Sequence, residues 1–266
     1  MITSTSNARI KRLVNLKKKR KARDEEKVFL VEGIRMFREV PLRQLKEVYV
    51  SESFYKKERA VVDQVLGTSG IRPEELSDTV YAYASDTKTP QGILCVVSQM
   101  EYTEEEVMGG TCPLILVLDR LQDPGNLGTI LRTAEGAGVT GIIMDQECVD
   151  VYNPKTIRST MGSVYRMPFL HVKDLVKEIR NLKARGIRTY AAHLEGARDY
   201  DREDYRTSCA FLIGNEGNGL RREVADEADA YIKIPMCGQV ESLNAAIAAS
   251  ILMFEAGRQR RDQELL

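Results

Sequence analysis

Residues 113–119 read P-L-I-L-V-L-D, an unbroken apolar run that ends on a carboxylate. A strand without polar alternation must be covered on both faces, which is the situation of an interior strand in a parallel sheet flanked by helices. The pattern recurs: 141–144, 188–192, 209–214 and 231–234 are further short β-type runs. Helical stretches fall near 154–164, 173–185 and 220–228. A long helix over about 243–258 closes the series, with Leu243, Ala246, Ile247, Ile251 and Phe254 as its expected buried stripe. This alternation predicts an α/β domain built on a parallel sheet across residues 113–266.

The preceding part, residues 1–100, predicts a second, smaller α/β domain. It opens on a basic helix over 7–23. Strands follow at 28–31, 46–50, 80–84 and 93–97, and helices at 34–39 and 53–66. Residues 99–112, with their acidic run and Gly109-Gly110, are the expected linker. The 39 basic and 39 acidic residues cancel, so net charge does not point to nucleic acid. Their distribution does. Residues 1–23 hold nine Lys or Arg and no Asp or Glu, centred on Lys17-Lys18-Lys19-Arg20-Lys21. Such a cluster neutralises phosphates and releases counterions, although a solvated surface helix has the same composition.

Several chemistries lack their residues. The five cysteines (Cys95, Cys112, Cys148, Cys209, Cys237) form no C-x-x-C, and His171 and His193 are the two histidines. Reduced thiols in a cytoplasmic protein and no metal site are therefore expected. No basic-then-apolar leader is visible. The apolar stretch 245–254 is too short to cross a bilayer. Gly136-x-Gly138-x-x-Gly141 matches a dinucleotide fingerprint in letters, yet it closes a helix and opens a strand, the reverse of the required context. Gly138 reads as a helix C-cap instead. A P-loop, a G-x-S-x-G elbow and an H-E-x-x-H helix are all missing.

Three segments remain, each a strand, an irregular loop and a helix start. In the first, D-R-L-Q-D-P-G-N-L-G-T-I-L-R over 119–132, Asn126 is the expected N-cap. Arg132 shares a helix face with Gly128, leaving room for a phosphate or ribose beside a long cation. The second, F-L-I-G-N-E-G-N-G-L over 211–220, is a glycine-rich loop with Glu216 inside it. It lies at the C-terminal end of a parallel strand, where open α/β sheets bind ligands. The third, I-K-I-P-M-C-G-Q-V-E-S-L-N over 232–244, places Pro235 and Gly238 in a loop with unpaired backbone groups. Ser242 is the expected cap of the last helix, and that role leaves Asn244 unexplained.

In order and spacing, these segments resemble the three signature motifs of the SpoU/TrmH branch of the SPOUT RNA methyltransferases: N-x-x-x-x-x-R, then G-N-E-G-x-G, then I-P-M-x-G-x-V-E-S-L-N. The resemblance spans 113–258. More weakly, F-L-V-E-G at 29–33 and T-P-Q-G-I-L at 89–94 resemble the RNA-binding domain often fused in front. The resemblance implies a parallel-sheet catalytic domain whose C-terminal part threads a trefoil knot, a rare topology that periodicity does not suggest. It also implies a homodimer. It implies S-adenosylmethionine as cofactor, contacted by Gly214, Ile234 and Leu243, with Asn215, Met236 and Gly238 in the same loops. Arg132, Asn126, Glu216, Ser242 and Asn244 are the implied catalytic set. The implied reaction is methylation of a ribose 2′-hydroxyl in structured RNA. Large-subunit rRNA is favoured over tRNA because of the extra N-terminal domain, and neither DNA nor membrane is an expected partner. A non-catalytic RNA-binding assembly factor of the same fold is the alternative.

Overall fold

The computed structural model describes residues 1–67, 69–195 and 198–264. They form two compact units. The first is Met1–Met100 together with Asp150–Tyr165; the second is Glu101–Val149 and the chain from Arg166 onward.

The chain starts with α1 (Ala8–Lys18) and α2 (Arg20–Glu26), followed by β1 (Val28–Glu32), α3 (Ile34–Glu39), β2 (Leu45–Ser51) and α4 (Glu52–Leu66). Next come β3 (Glu74–Leu76), α5 (Asp78–Ala84) and β4 (Ile93–Ser98). The strands form a mixed sheet in the order β1-β4-β2-β3. Asn7 caps α1, and Ile10, Leu13 and Leu16 lie on its fully buried side at the i, i+3, i+6 spacing of one helix face. The expected helix 7–23 breaks in two because Lys19 is extended, at φ −121°. Residues 80–84, expected as a strand, belong to α5. Ser77 accepts the Val80 N–H, and Val80, Tyr81 and Ala84 share the buried side. The run V-Y-A-Y-A alternates in letters, but the cap at Ser77 starts a helical turn and sets a period of 3.6.

The 99–112 stretch contains α6 (Glu104–Met108), started by a reciprocal capping box between Thr103 and Glu106. There follow β5 (Leu114–Leu118), α7 (Pro124–Ala137), β6 (Gly141–Asp145) and α8 (Pro154–Thr160). Then come β7 (Phe169–Val172), α9 (Leu175–Ala184), β8 (Arg188–Ala192), β9 (Arg198–Asp199) and β10 (Cys209–Ile213). The chain continues through α10 (Arg222–Ala225), β11 (Ala230–Lys233) and α11 (Ala245–Glu264).

Residues 150–165, with α8, pack on the first unit although they fall inside the span 113–266. Arg23, nearly fully buried, pairs with Asp150 and donates to the Leu16 carbonyl at 2.6 Å. The Tyr152 ring lies 4.6 Å from that of Phe29.

In the second unit the strands pair in parallel throughout, in the order β7-β6-β5-β10-β8-β11-β9. From β5 the chain proceeds outward to β6 and β7 on one side, while β10, β8 and β11 lie on the other. The β5/β10 junction is thus a switch point, and the loops leaving those strands frame a crevice. Every residue of β5 and β10 is buried, as unalternated runs require. Gly138 caps α7 in the left-handed region, at φ +79°. The buried side of α11 is Ala245, Ala246, Ala249, Leu252, Met253 and Ala256, whereas Ile247 and Phe254 of the expected stripe are 50% and 48% exposed. Small alanines permit close approach to α7, so burial there does not follow side-chain size. Among the described residues, no helix is long and apolar enough to cross a membrane.

Candidate active site

Three loops leave the C-terminal ends of the sheet around the switch point. After β5, Asp119 is fully buried and its carboxylate accepts from Arg221, at 2.8 Å from the backbone N and 2.7 Å from Nε. Arg221 also reaches Asp145 at 3.1 Å. This ion triad ties the end of the β10 loop to the ends of β5 and β6. A buried pair of this kind holds a shape more than it adds stability, because desolvation offsets much of its Coulomb attraction.

The N-cap of α7 is Asp123, which accepts the Asn126 N–H at 2.8 Å, with Pro124 in the first turn. Asn126 is therefore not the cap that was expected. Asp123 stands directly before the proline and takes that role, which frees the Asn126 side chain. Its amide Nδ2 donates to Glu216 Oε1 at 2.9 Å.

After β10, residues 214–219 close on themselves: Asn215 and Gly219 exchange two backbone hydrogen bonds of 3.0 Å. The Asn215 side chain accepts from the Gly217 and Asn218 N–H groups and donates to the Arg120 carbonyl at 2.8 Å. A Cβ on Gly214 would stand 2.1 Å from the Gly219 carbonyl carbon, so the loop tolerates only glycine there. Glu216 then reaches back across the crevice. Besides Asn126, its carboxylate accepts from the backbone N–H groups of Gln122 (3.1 Å) and Asp123 (3.0 Å). Burial opposes its ionisation, but the bonds from Asn126, Asp123 and Gln122 outweigh this and hold the carboxyl below its ordinary value.

After β11, residues 234–243 form neither helix nor strand. Asn244, not Ser242, caps α11: its Oδ1 accepts from Ala246 N at 2.9 Å and Ile247 N at 3.3 Å. Its Nδ2 donates to Asn126 Oδ1 at 2.9 Å. The three sequence segments thus meet in one hydrogen-bonded chain, Asn244 to Asn126 to Glu216. Ser242 is exposed, and its hydroxyl has no partner among the described residues.

Beside this chain opens a cavity of ≈ 300 Å³. Gly214, Asn215, Glu216, Ile234, Met236, Ser242 and Leu243 line it, joined by Leu252 of α11. Gly238 does not. Neither Asn126 nor Arg132 lines it; Arg132 is exposed and makes no hydrogen bond or ion pair among the described residues. Two features escaped the sequence reading. His193 and Leu194 border the cavity from the end of β8, where strand position was the available signal. The Asp119–Arg221 pair joins residues 102 positions apart, and no local pattern reports it.

Residues 113–254 match the SpoU rRNA Methylase family, and residues 7–95 match the MRM3-like substrate binding domain. The chain is similar to the 23S rRNA (guanosine(2553)-2′-O)-methyltransferase RlmP of Bacillus subtilis, at 33% identity over 253 residues, 95% of this chain and 97% of that protein. Among solved structures it is similar to an AdoMet-bound rRNA methyltransferase from Sinorhizobium meliloti, with TM-score 0.86 and 33% identity over 97% of each chain. It is also similar to the SpoU methyltransferase AviRb from Streptomyces viridochromogenes in complex with AdoMet, with TM-score 0.87 and 27% identity over 96% of this chain and 98% of that one. With the three motifs joined around one cavity and the family match extending over more than half of its length, this chain belongs to the SpoU rRNA methylase family.

Proposed function

We propose that this protein transfers the methyl group of S-adenosylmethionine to a ribose 2′-hydroxyl of large-subunit rRNA. The observation that carries this is the chain Asn244–Asn126–Glu216 at the rim of the cavity: it uses a residue from each segment and places them beside one ligand-sized space. The cavity suits the cofactor in chemistry. Ile234, Met236, Leu243 and Leu252 supply apolar walls for a purine, and the loops at 214–219 and 234–236 supply backbone polar groups for its edge. Similarity along the whole chain to proteins named as rRNA methyltransferases supports the rRNA substrate over tRNA.

When bound, S-adenosylmethionine supplies an already activated methyl group on a sulfonium. The protein's task is then to hold the ribose hydroxyl in line and help its proton leave. Arg132 is the group we assign to the RNA. A guanidinium stays protonated, which suits it to clamp a phosphate and stabilise a developing oxyanion rather than to act as base. Glu216 is a positioning residue: its carboxylate oxygens are already occupied by donors from Gln122, Asp123 and Asn126. That leaves the substrate phosphate or water to take the proton. Ser242, exposed at the cavity wall, is placed to orient the ribose or the cofactor.

The proposal includes a division of labour, with residues 1–100 binding RNA and residues 113–266 carrying the chemistry through a knotted C-terminal part. It also includes a homodimer. Ile247 and Phe254, exposed, stand at i and i+7 with the partly buried Ile251 between them, and leave an apolar face on α11 uncovered. Arg132, absent from its own chain's cavity, then serves the partner's. The enzyme acts in the cytoplasm, where rRNA is available.

The test is methyl transfer from labelled S-adenosylmethionine to unmodified rRNA and, separately, to tRNA. Label is expected in rRNA alone, falling by at least about a hundredfold in Arg132→Ala. Label in tRNA alone would move the substrate. No transfer to either RNA would favour the assembly factor.

A further inference from the structure

The first unit carries an exposed aromatic that its fold does not use. Tyr81 and Tyr83 lie two residues apart on α5 and so point to opposite sides. Tyr81 is buried and donates its hydroxyl to Glu32. Tyr83 is 53% exposed, and its hydroxyl has no partner among the described residues.

The surroundings of Tyr83 are basic and firmly built. The Lys17 ammonium donates to the carbonyls of Tyr83 (3.2 Å) and Ser85 (2.8 Å). That bond fastens the basic end of α1 to the end of α5 and brings Lys18 and Lys19, exposed and without ion pairs among the described residues, into the same region. The loop after α5 is held from beneath by Glu32, whose carboxylate accepts from the Ser85 and Thr87 hydroxyls and from the Asp86 and Gln91 N–H groups. That carboxylate is turned inward onto its hydrogen bonds, and Asp86 is paired to Arg158. Lys88, at the exposed part of the loop, has no partner among the described residues. An exposed ring at the end of α5, followed within five residues by an exposed lysine on a hydrogen-bonded loop, offers a base face and a phosphate partner to an unpaired nucleotide.

We propose that Tyr83 and Lys88, set by the Lys17 and Glu32 anchors, form the seat for an unpaired nucleotide of the RNA, with the base stacked on Tyr83 and a phosphate on Lys88. This rests on the RNA-methyltransferase reading above and names where the first unit grips its substrate. The occupant is a single-stranded or looped segment, because a base inside a duplex has no free face to offer.

The experiment measures affinity of the full chain for an unmodified 23S rRNA transcript. Tyr83→Ala is expected to weaken binding about tenfold, by loss of one stacked base. Tyr83→Phe is expected to retain wild-type affinity, since the ring and not the hydroxyl is used. Lys88→Ala is expected to lower the slope of log affinity against log salt by about 1. Unchanged melting temperature and S-adenosylmethionine affinity in each variant verify that fold and cofactor site are intact. Binding by Tyr83→Ala as tight as wild type overturns the proposal and leaves the ring to a protein partner. Loss in Tyr83→Phe equal to that in Tyr83→Ala overturns stacking. A wild-type chain that neither binds nor methylates RNA overturns the functional reading itself, a different result from a binding defect confined to Tyr83→Ala.

Discussion

Glu216 joins two of the site's segments through the hydrogen bonds of one side chain. Three donors converge on it from the turn that starts α7. Because its folded-state pKa is lowered, its contribution to folding is fully present above the ordinary glutamate range and is lost as pH falls through and below that range. At neutral pH it is ionised throughout, so it should leave no mark on the pH–rate profile there. Glu216→Gln turns one acceptor oxygen into a donor facing backbone N–H groups. We expect transfer to slow on the order of a hundredfold through misplacement of the loop, with the neutral pH–rate profile unchanged in shape. A limb of that profile that shifts in Glu216→Gln would make the carboxylate the proton acceptor after all.

At the scale of elements, α11 begins where the site ends. Asn244 does two jobs with one amide: its oxygen caps the helix and its nitrogen donates to Asn126. Substitution separates them. Asn244→Ala loses both and should cost about 1 kcal/mol of stability together with activity. Asn244→Asp keeps the capping oxygen and loses the donor, so thermal unfolding should stay near wild type while the transfer rate falls. Full activity in Asn244→Asp would show that the polar chain is not needed for transfer.

For the whole molecule, the exposed face of α11 bears on assembly. Ile247 and Phe254 are large apolar side chains left half-open on a helix whose other side packs through alanines. Phe254→Glu places a charge on that face. Light scattering should report a halved mass, and methyl transfer should fall with it if Arg132 serves the partner's cavity. A monomeric wild type, or a dimer untouched by Phe254→Glu, would remove the dimer from the proposal.

What the sequence determined alone was whatever depends on near neighbours along the chain. The unalternated runs of β5 and β10 announced a covered parallel sheet, Gly138 announced the end of α7, and the three strand–loop–helix segments marked the loops that meet beside the cavity. Local signals failed where two neighbours competed for one role. Asp123 and Asn244 took the caps expected of Asn126 and Ser242, and Ser77 turned an alternating run into α5. Only the tertiary structure decided that β10 returns beside β5, that Asp119 meets Arg221, and that Asn126 faces both Glu216 and Asn244. Those contacts join residues about a hundred positions apart. Asp119, fully buried, must find a partner in space, and for none of the three contacts does sequence periodicity record which distant group will be there.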